Sequence, residues 1–296
     1  MLINLASTFI EKVYPALESD QVWERYREYY YLPNQRVLDN HFSRWGSLDT
    51  QELRDMVAGW NRAEFKAIIE DIKGFNFSQV EDTIKEACNI LGKIKELDIY
   101  FLIGDFRSGL YIDQINGRNI IVIAMEVVRE YGDLEKVILP SISHELFHLY
   151  HYNRLEEEGI QREKSFKNLI IDDGLAAYFS YMLNSSYNLQ EILLYSDEQL
   201  EEIKANEAEY GWQLFNLIEE KSLNESILLF NAPGAMQEEK LTQIPDWPPR
   251  LSYYYGFKII EGYIQEHGND FIKELTLILP DEVIAESSYL NELNII

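Results

Sequence analysis

At 296 residues, with 46% hydrophobic and 13% aromatic side chains, the chain is long enough to bury a substantial core, as one large domain or as two subdomains sharing a cleft. Its 51 acidic residues outnumber 26 basic ones, and the net charge of −25 repels nucleic acid and anionic membrane surfaces, which excludes nucleic acid as a partner. No stretch approaches the roughly 18 uninterrupted apolar residues that a spanning helix needs, and a lone Cys88 forms no internal disulfide, so the expectation is a cytoplasmic protein that does not engage a membrane.

The segment from Met1 to Leu17 carries Glu11 and Lys12 among its apolar residues and lacks a basic start followed by a long apolar run. It predicts an amphipathic helix, not a secretory leader. Trp23, Tyr26, Tyr29, Tyr30 and Tyr31 form an aromatic cluster whose expected role is packing. Asp49 followed by Glu52, and Ser78 followed by Glu81, have the spacing of capping boxes and predict helices over 50–72 and 79–96. Cys88 falls in the second of these as an inert core thiol.

The β signal lies between residues 98 and 124. Ile99-Tyr100-Phe101-Leu102-Ile103 reads as a short apolar strand ended by Gly104, and the runs 111–115 and 119–123 flank Asn116-Gly117, a strong hairpin turn. They predict a small antiparallel sheet, with an edge strand able to pin an extended peptide.

Next comes His144-Glu145-Leu146-Phe147-His148, the H-E-x-x-H pattern, with Ile142, Leu146, Leu149 and Tyr150 supplying apolar positions at helical spacing. On an α-helix, residues four apart stand about 6 Å apart along the axis on one face, so both imidazoles converge on one ion. Glu145 points beside the ion, where a base takes a proton from metal-bound water. His151 is about 10 Å along the axis from His144, too far to share the ion, and the histidine of a metzincin is missing because position 154 is Arg. The remaining ligand is sought in Ile170-Ile171-Asp172-Asp173-Gly174-Leu175, where two acids interrupt an apolar run. Either one completes the site, Asp173 being preferred, or the pair caps the helix that starts there.

From residue 155 the pattern is helical in blocks 164–184, 188–222 and 249–277, with Pro245-Asp246-Trp247-Pro248-Pro249 as a loop that turns the chain. The acidic runs at 156–158 and 197–209 read as solvated faces.

These residues carry a resemblance. His144 to His148, then Asp173-Gly174-Leu175-Ala176-Ala177-Tyr178, then Tyr253-Tyr254-Tyr255-Gly256-Phe257 resemble the bacterial family of predicted zinc-dependent proteases, similar in plan to the gluzincins, over roughly residues 95–267. The resemblance implies Asp173 as third ligand, one methylene shorter than the family's glutamate, and a phenol from the Tyr-x-x-Gly segment as oxyanion donor: Tyr253 first, Tyr254 second, with aromatic packing as the alternative for both.

The expected fold is therefore α+β and mainly helical, with a gluzincin-like plan. It comprises an N-terminal helical region over 1–97, the small sheet and active-site helix over 98–155, and a helical C-terminal subdomain over 156–296, all in one compact catalytic unit. The expected function is a zinc metallopeptidase, Zn2+ held by His144, His148 and Asp173 with Glu145 as general base, acting on a peptide or protein substrate. The alternative is a metal-binding helical protein without hydrolytic activity that regulates or binds a partner.

Overall fold

A computed structural model describes residues 1–44, 46–92, 94, 96–162, 165–220, 247, 248, 250–268 and 272–293, the side chains of 217–220 excepted. The chain divides into two units, Met1–Glu145 and Leu146–Ile296. The division falls inside one continuous helix.

The first unit is built on a four-stranded mixed sheet. Its strands are β1 (Leu2–Asn4), β2 (Leu97–Leu102), β3 (Leu110–Ile115) and β4 (Arg118–Ala124), in the spatial order β1-β2-β4-β3. The hairpin forms where expected, with Asn116 and Gly117 both at positive φ, the backbone that a two-residue turn between twisted strands requires. The expected antiparallel sheet is corrected in two respects. The hairpin places β4 beside β2 in parallel, and Leu2–Asn4, expected to be helical, adds a further parallel strand on β2. β4 is buried from Ile120 to Ala124, the continuous apolar run of a strand covered on both faces.

Around this sheet lie α1 (Gln35–Ser43), α2 (Thr50–Gly59), α3 (Arg62–Gly74) and α4 (Phe77–Leu91). The capping box at Asp49 forms with both of its hydrogen bonds. The helix expected over 50–72 is broken at Trp60-Asn61, because the Asn61 side chain caps a new start by accepting from the Glu64 amide. The helix expected over 79–96 with Ser78 as its cap runs from Phe77 to Leu91, since Asn76 takes the capping position, accepting from the Ser78 amide, and Gly92 at positive φ ends it. The aromatic cluster packs as expected on a π-helical segment, Tyr26–Tyr31, with Tyr26 and Tyr30 fully buried. Tyr30 closes the end of β2: its hydroxyl donates to the Ile103 carbonyl and accepts from the Ile103 amide. Cys88 is half-buried and not a core residue.

Helix α5 (Leu134–Glu157) runs through the division. Asp133 receives the amides of Glu135 and Lys136 at its start, and Gly159 at positive φ ends the following turn. In the second unit α6 (Phe166–Leu183) is apolar nearly all round and is the buried centre. The block expected over 188–222 consists of α7 (Leu189–Leu193), α8 (Asp197–Ala205) and α9 (Glu207–Glu220), with capping boxes at Asn188 and Ser196 starting the first two. The block expected over 249–277 is α10 (Leu251–His267), followed by α11 (Pro280–Glu286) and α12 (Ser288–Glu292). Trp247 and Pro248 lie in a loop as expected, while Pro245, Asp246 and Pro249 lie outside the described residues. No helix among the described residues is long and apolar enough to cross a membrane.

Helices α6 and α10 meet at two glycines. A Cβ on Gly174 would stand 2.4 Å from the carbonyl carbon and oxygen of Gly256, and one on Gly256 would stand 2.3 Å from the Ile170 oxygen. Only hydrogen fits at either position, so the backbones touch there.

Candidate metal centre

His144 and His148 stand one turn apart on α5, and Asp173 stands in the middle of α6. One ligand atom from each lies within 4.8 Å of the others. His148 Nε2 is 3.1 Å from Asp173 Oδ1, and both side chains are largely buried. Ligand atoms at 2.0–2.2 Å from a tetrahedral zinc are roughly 3.4 Å apart, so this donor set of two imidazole nitrogens and one carboxylate oxygen is close to what such an ion requires. The H-E-x-x-H spacing puts both imidazoles on one face of α5, and α6 supplies the acid. Ser165 caps α6 by accepting from the Asn168 amide, so neither Asp172 nor Asp173 is a capping residue. The two acids are mid-helix, where neighbouring positions diverge.

Asp172 turns elsewhere. Its carboxylate accepts from Arg162 Nη1 at 3.0 Å and lies 3.6 Å from His151 Nδ1. Arg162, itself buried, also donates to the carbonyls of Thr276 and Ile278, and His151 Nε2 lies 3.1 Å from the same Thr276 oxygen. Burial pushes Asp172 up to about 6 although the arginine opposes it. Burial, then Arg162, then His148 push His151 down to about 3, so the imidazole is neutral beside the centre. Tyr152 stacks on His148 at 5.7 Å and on His151 at 5.9 Å. Arg162 was not singled out in the sequence, and no local pattern marks it: its partners are 10 to 116 residues away.

Of the other expected site residues, Glu145 stands half-buried on α5 beside His144. Tyr254 is committed elsewhere. Its hydroxyl donates to Glu207 Oε1 at 2.6 Å, as does that of Tyr289, and Tyr255 donates to the Glu207 backbone oxygen. Burial and the Glu207 charge both raise the Tyr254 phenol well above its ordinary range. Tyr253 is half-buried in the first turn of α10, its amide bonded to the Arg250 carbonyl.

Residues 134–291, more than half of the chain, match the family described as gliding motility protein GldB. The chain belongs to the GldB family. The matched stretch contains His144, His148 and Asp173. No curated protein and no solved structure shows a significant match.

GldB membership overturns five expectations. The family is one of gliding-motility lipoproteins, not of zinc-dependent proteases, so the resemblance, the metallopeptidase function, the enzyme assignment and the hydrolase vocabulary are withdrawn. The misreading has a physical origin: H-E-x-x-H specifies a helix face that gathers two imidazoles and an acid, which is a statement about geometry and not about turnover. The cytoplasmic location is withdrawn as well. It rested on a missing apolar span, a lone cysteine and an amino-terminal segment unlike a secretory leader, and a lipid anchor requires no spanning segment.

Proposed function

We propose that this chain works in gliding motility as a metal-holding, non-hydrolytic protein of the cell envelope, with Zn2+ fixed by His144, His148 and Asp173. The carrying observation is that all three ligands lie together, on two helices, inside the stretch that defines the family. The ion supplies a crosslink: two donors come from α5 and one from α6, so the metal ties these helices through a short connection and makes local order depend on occupancy. Arg162, through Asp172 and the Thr276 and Ile278 carbonyls, holds the α6 side of that clasp. The partner is a protein of the gliding apparatus that meets the ordered surface.

Metal analysis of the purified chain tests the first half and complementation of a gliding strain lacking its own copy tests the second. Zinc in about equimolar amount, lost in His148→Ala and Asp173→Ala, together with failed gliding in both, is expected. Glu145→Gln keeps the metal and restores gliding. Normal gliding by Asp173→Ala overturns the metal role, and failure of a folded, zinc-loaded Glu145→Gln overturns the non-hydrolytic one.

A further inference from the structure

The first unit encloses a second group of ionisable side chains, independent of the metal centre. From Ile120 to Val128 the chain is apolar except for Glu126, in the short helix Met125–Val128 that follows β4. Glu126 is 1% exposed. Its Oε1 accepts from the Gly104 amide at 2.7 Å and from the Phe106 amide at 3.4 Å, while Oε2 has no hydrogen-bond partner among the described residues. Across Gly104 stands His41 of α1, fully buried, its Nδ1 3.1 Å from the Tyr111 hydroxyl and its Nε2 3.4 Å from Asp105 Oδ1. A Cβ on Gly104 would fall 2.2 Å from His41 Nε2 and 3.0 Å from Glu126 Oε1. The chain thus threads between an imidazole and an acid with room only for a glycine. Phe106, two residues on, is held in the left-handed region at φ 61° and is 40% exposed.

Among the described residues no cation is paired with Glu126: His41, the nearest ionisable ring, is turned to Asp105 and Tyr111. Arg107 is spent on Asp105, its Nε 2.7 Å from Oδ2. Arg129, next to the short helix, goes to Asp71 at 2.8 Å, and α3 otherwise turns Phe65, Ile68, Ile69 and Ile72 inward. The π-helical segment presents the phenols of Tyr26 and Tyr30, both raised by burial and so uncharged. Asp105 is a like charge. A carboxylate in this place has amide donors on one oxygen and no ion-pair partner among the described residues, and burial favours its protonated form.

We infer that Glu126 is a proton-operated latch on residues 103–109. With the proton on, the acid stays buried and pins the Gly104 and Phe106 amides. Loss of that proton to solvent leaves an unpaired charge in the core, which is relieved when the segment lifts and water enters. Burial, opposed by the amides and assisted by Asp105, pushes Glu126 up to about 8, which puts the transition within reach of ordinary aqueous conditions.

Hydrogen exchange of the whole chain, corrected for the intrinsic pH dependence, tests the latch at about pH 6 and about pH 9. Opening at the Gly104 and Phe106 amides is expected to rise about tenfold in the wild type at the higher pH, and Glu126→Gln is expected to show no such step. Equal protection at both values, or an unchanged step in the variant, overturns the inference. Should the variant not fold, carbon-detected titration of the wild-type Glu126 carboxyl decides: a midpoint near 8 that moves the Gly104 amide signal sustains the latch, and a midpoint in the ordinary carboxylate range removes it.

Discussion

Replacing Gly256 by alanine tests the helix contact on which the second unit is built. The new methyl carbon would stand 2.3 Å from the Ile170 oxygen and 3.0 Å from the Gly174 Cα, against an ordinary contact limit of roughly 3.4 Å, so α6 and α10 must part by about 1 Å. Overpacking of a filled core costs about 1–3 kcal/mol, and the upper end applies because the obstructing atoms are backbone, which no rotamer change can move. Alanine returns about 1 kcal/mol through its better helix propensity. The net loss is about 2 kcal/mol, roughly a thirtyfold fall in the folded-to-unfolded ratio. Guanidinium unfolding followed by far-ultraviolet circular dichroism measures it, with Gly59→Ala in α2 as the control. A Cβ at Gly59 meets nothing within 4 Å, so that change is expected to be neutral or to stabilise by up to about 1 kcal/mol. If Gly256→Ala is as stable as the wild type while Gly59→Ala behaves as stated, the close crossing is not what holds these helices.

Arg162→Met leaves Asp172 without its cation and two carbonyls without their donor, and is expected to destabilise the second unit by about 3–5 kcal/mol in the same denaturation assay. For Glu126, with a folded value of about 8 against an ordinary 4.5, the native state keeps a proton that the unfolded chain has released. Its contribution is therefore full below about 4.5, falls as pH rises to about 8 and is constant above, by at most about 5 kcal/mol. The stability difference between wild type and Glu126→Gln, measured across that range, is expected to shift in favour of the variant as pH rises; a shift in the opposite direction refutes the assignment. Glu207→Gln removes the charge that faces Tyr254 and Tyr289, so spectrophotometric titration of the phenols is expected to show tyrosines ionising at lower pH than in the wild type.

Features that depend on neighbours in the chain were legible in the sequence. The Asn116-Gly117 turn, the Asp49 cap and the placing of both imidazoles on one face of α5 all follow from local backbone preference or helical period. The sequence preferred Asp173 to Asp172 without a reason that separates two adjacent acids; in the fold Asp173 lies beside His148 and Asp172 turns to Arg162, because neighbouring helix positions diverge. The parallel pairing of Leu2–Asn4 with β2 was not legible, because three residues carry too little pattern to distinguish strand from amphipathic helix. Glu126 had a signal that was passed over: one acid in a nine-residue apolar stretch is costly to bury, and such a residue marks a special environment. Tyr254 was read as the second choice after Tyr253 for an oxyanion donor, with packing as the alternative; its hydroxyl goes to Glu207, 47 residues earlier in a helix with no motif.

The pairing of Leu2 with Ile99 spans almost a third of the chain, whereas Leu110–Ile115 and Arg118–Ile123 pair across a two-residue turn. The hairpin closes a loop of trivial entropy and forms within microseconds, but β1 cannot dock until everything between it and β2 has been gathered in. Contact order places β1 after the hairpin, and as a three-residue edge strand it has few hydrogen bonds to hold it afterwards. Tension or proteolysis applied at the amino end will therefore unzip the sheet from β1 inward while the hairpin survives longest.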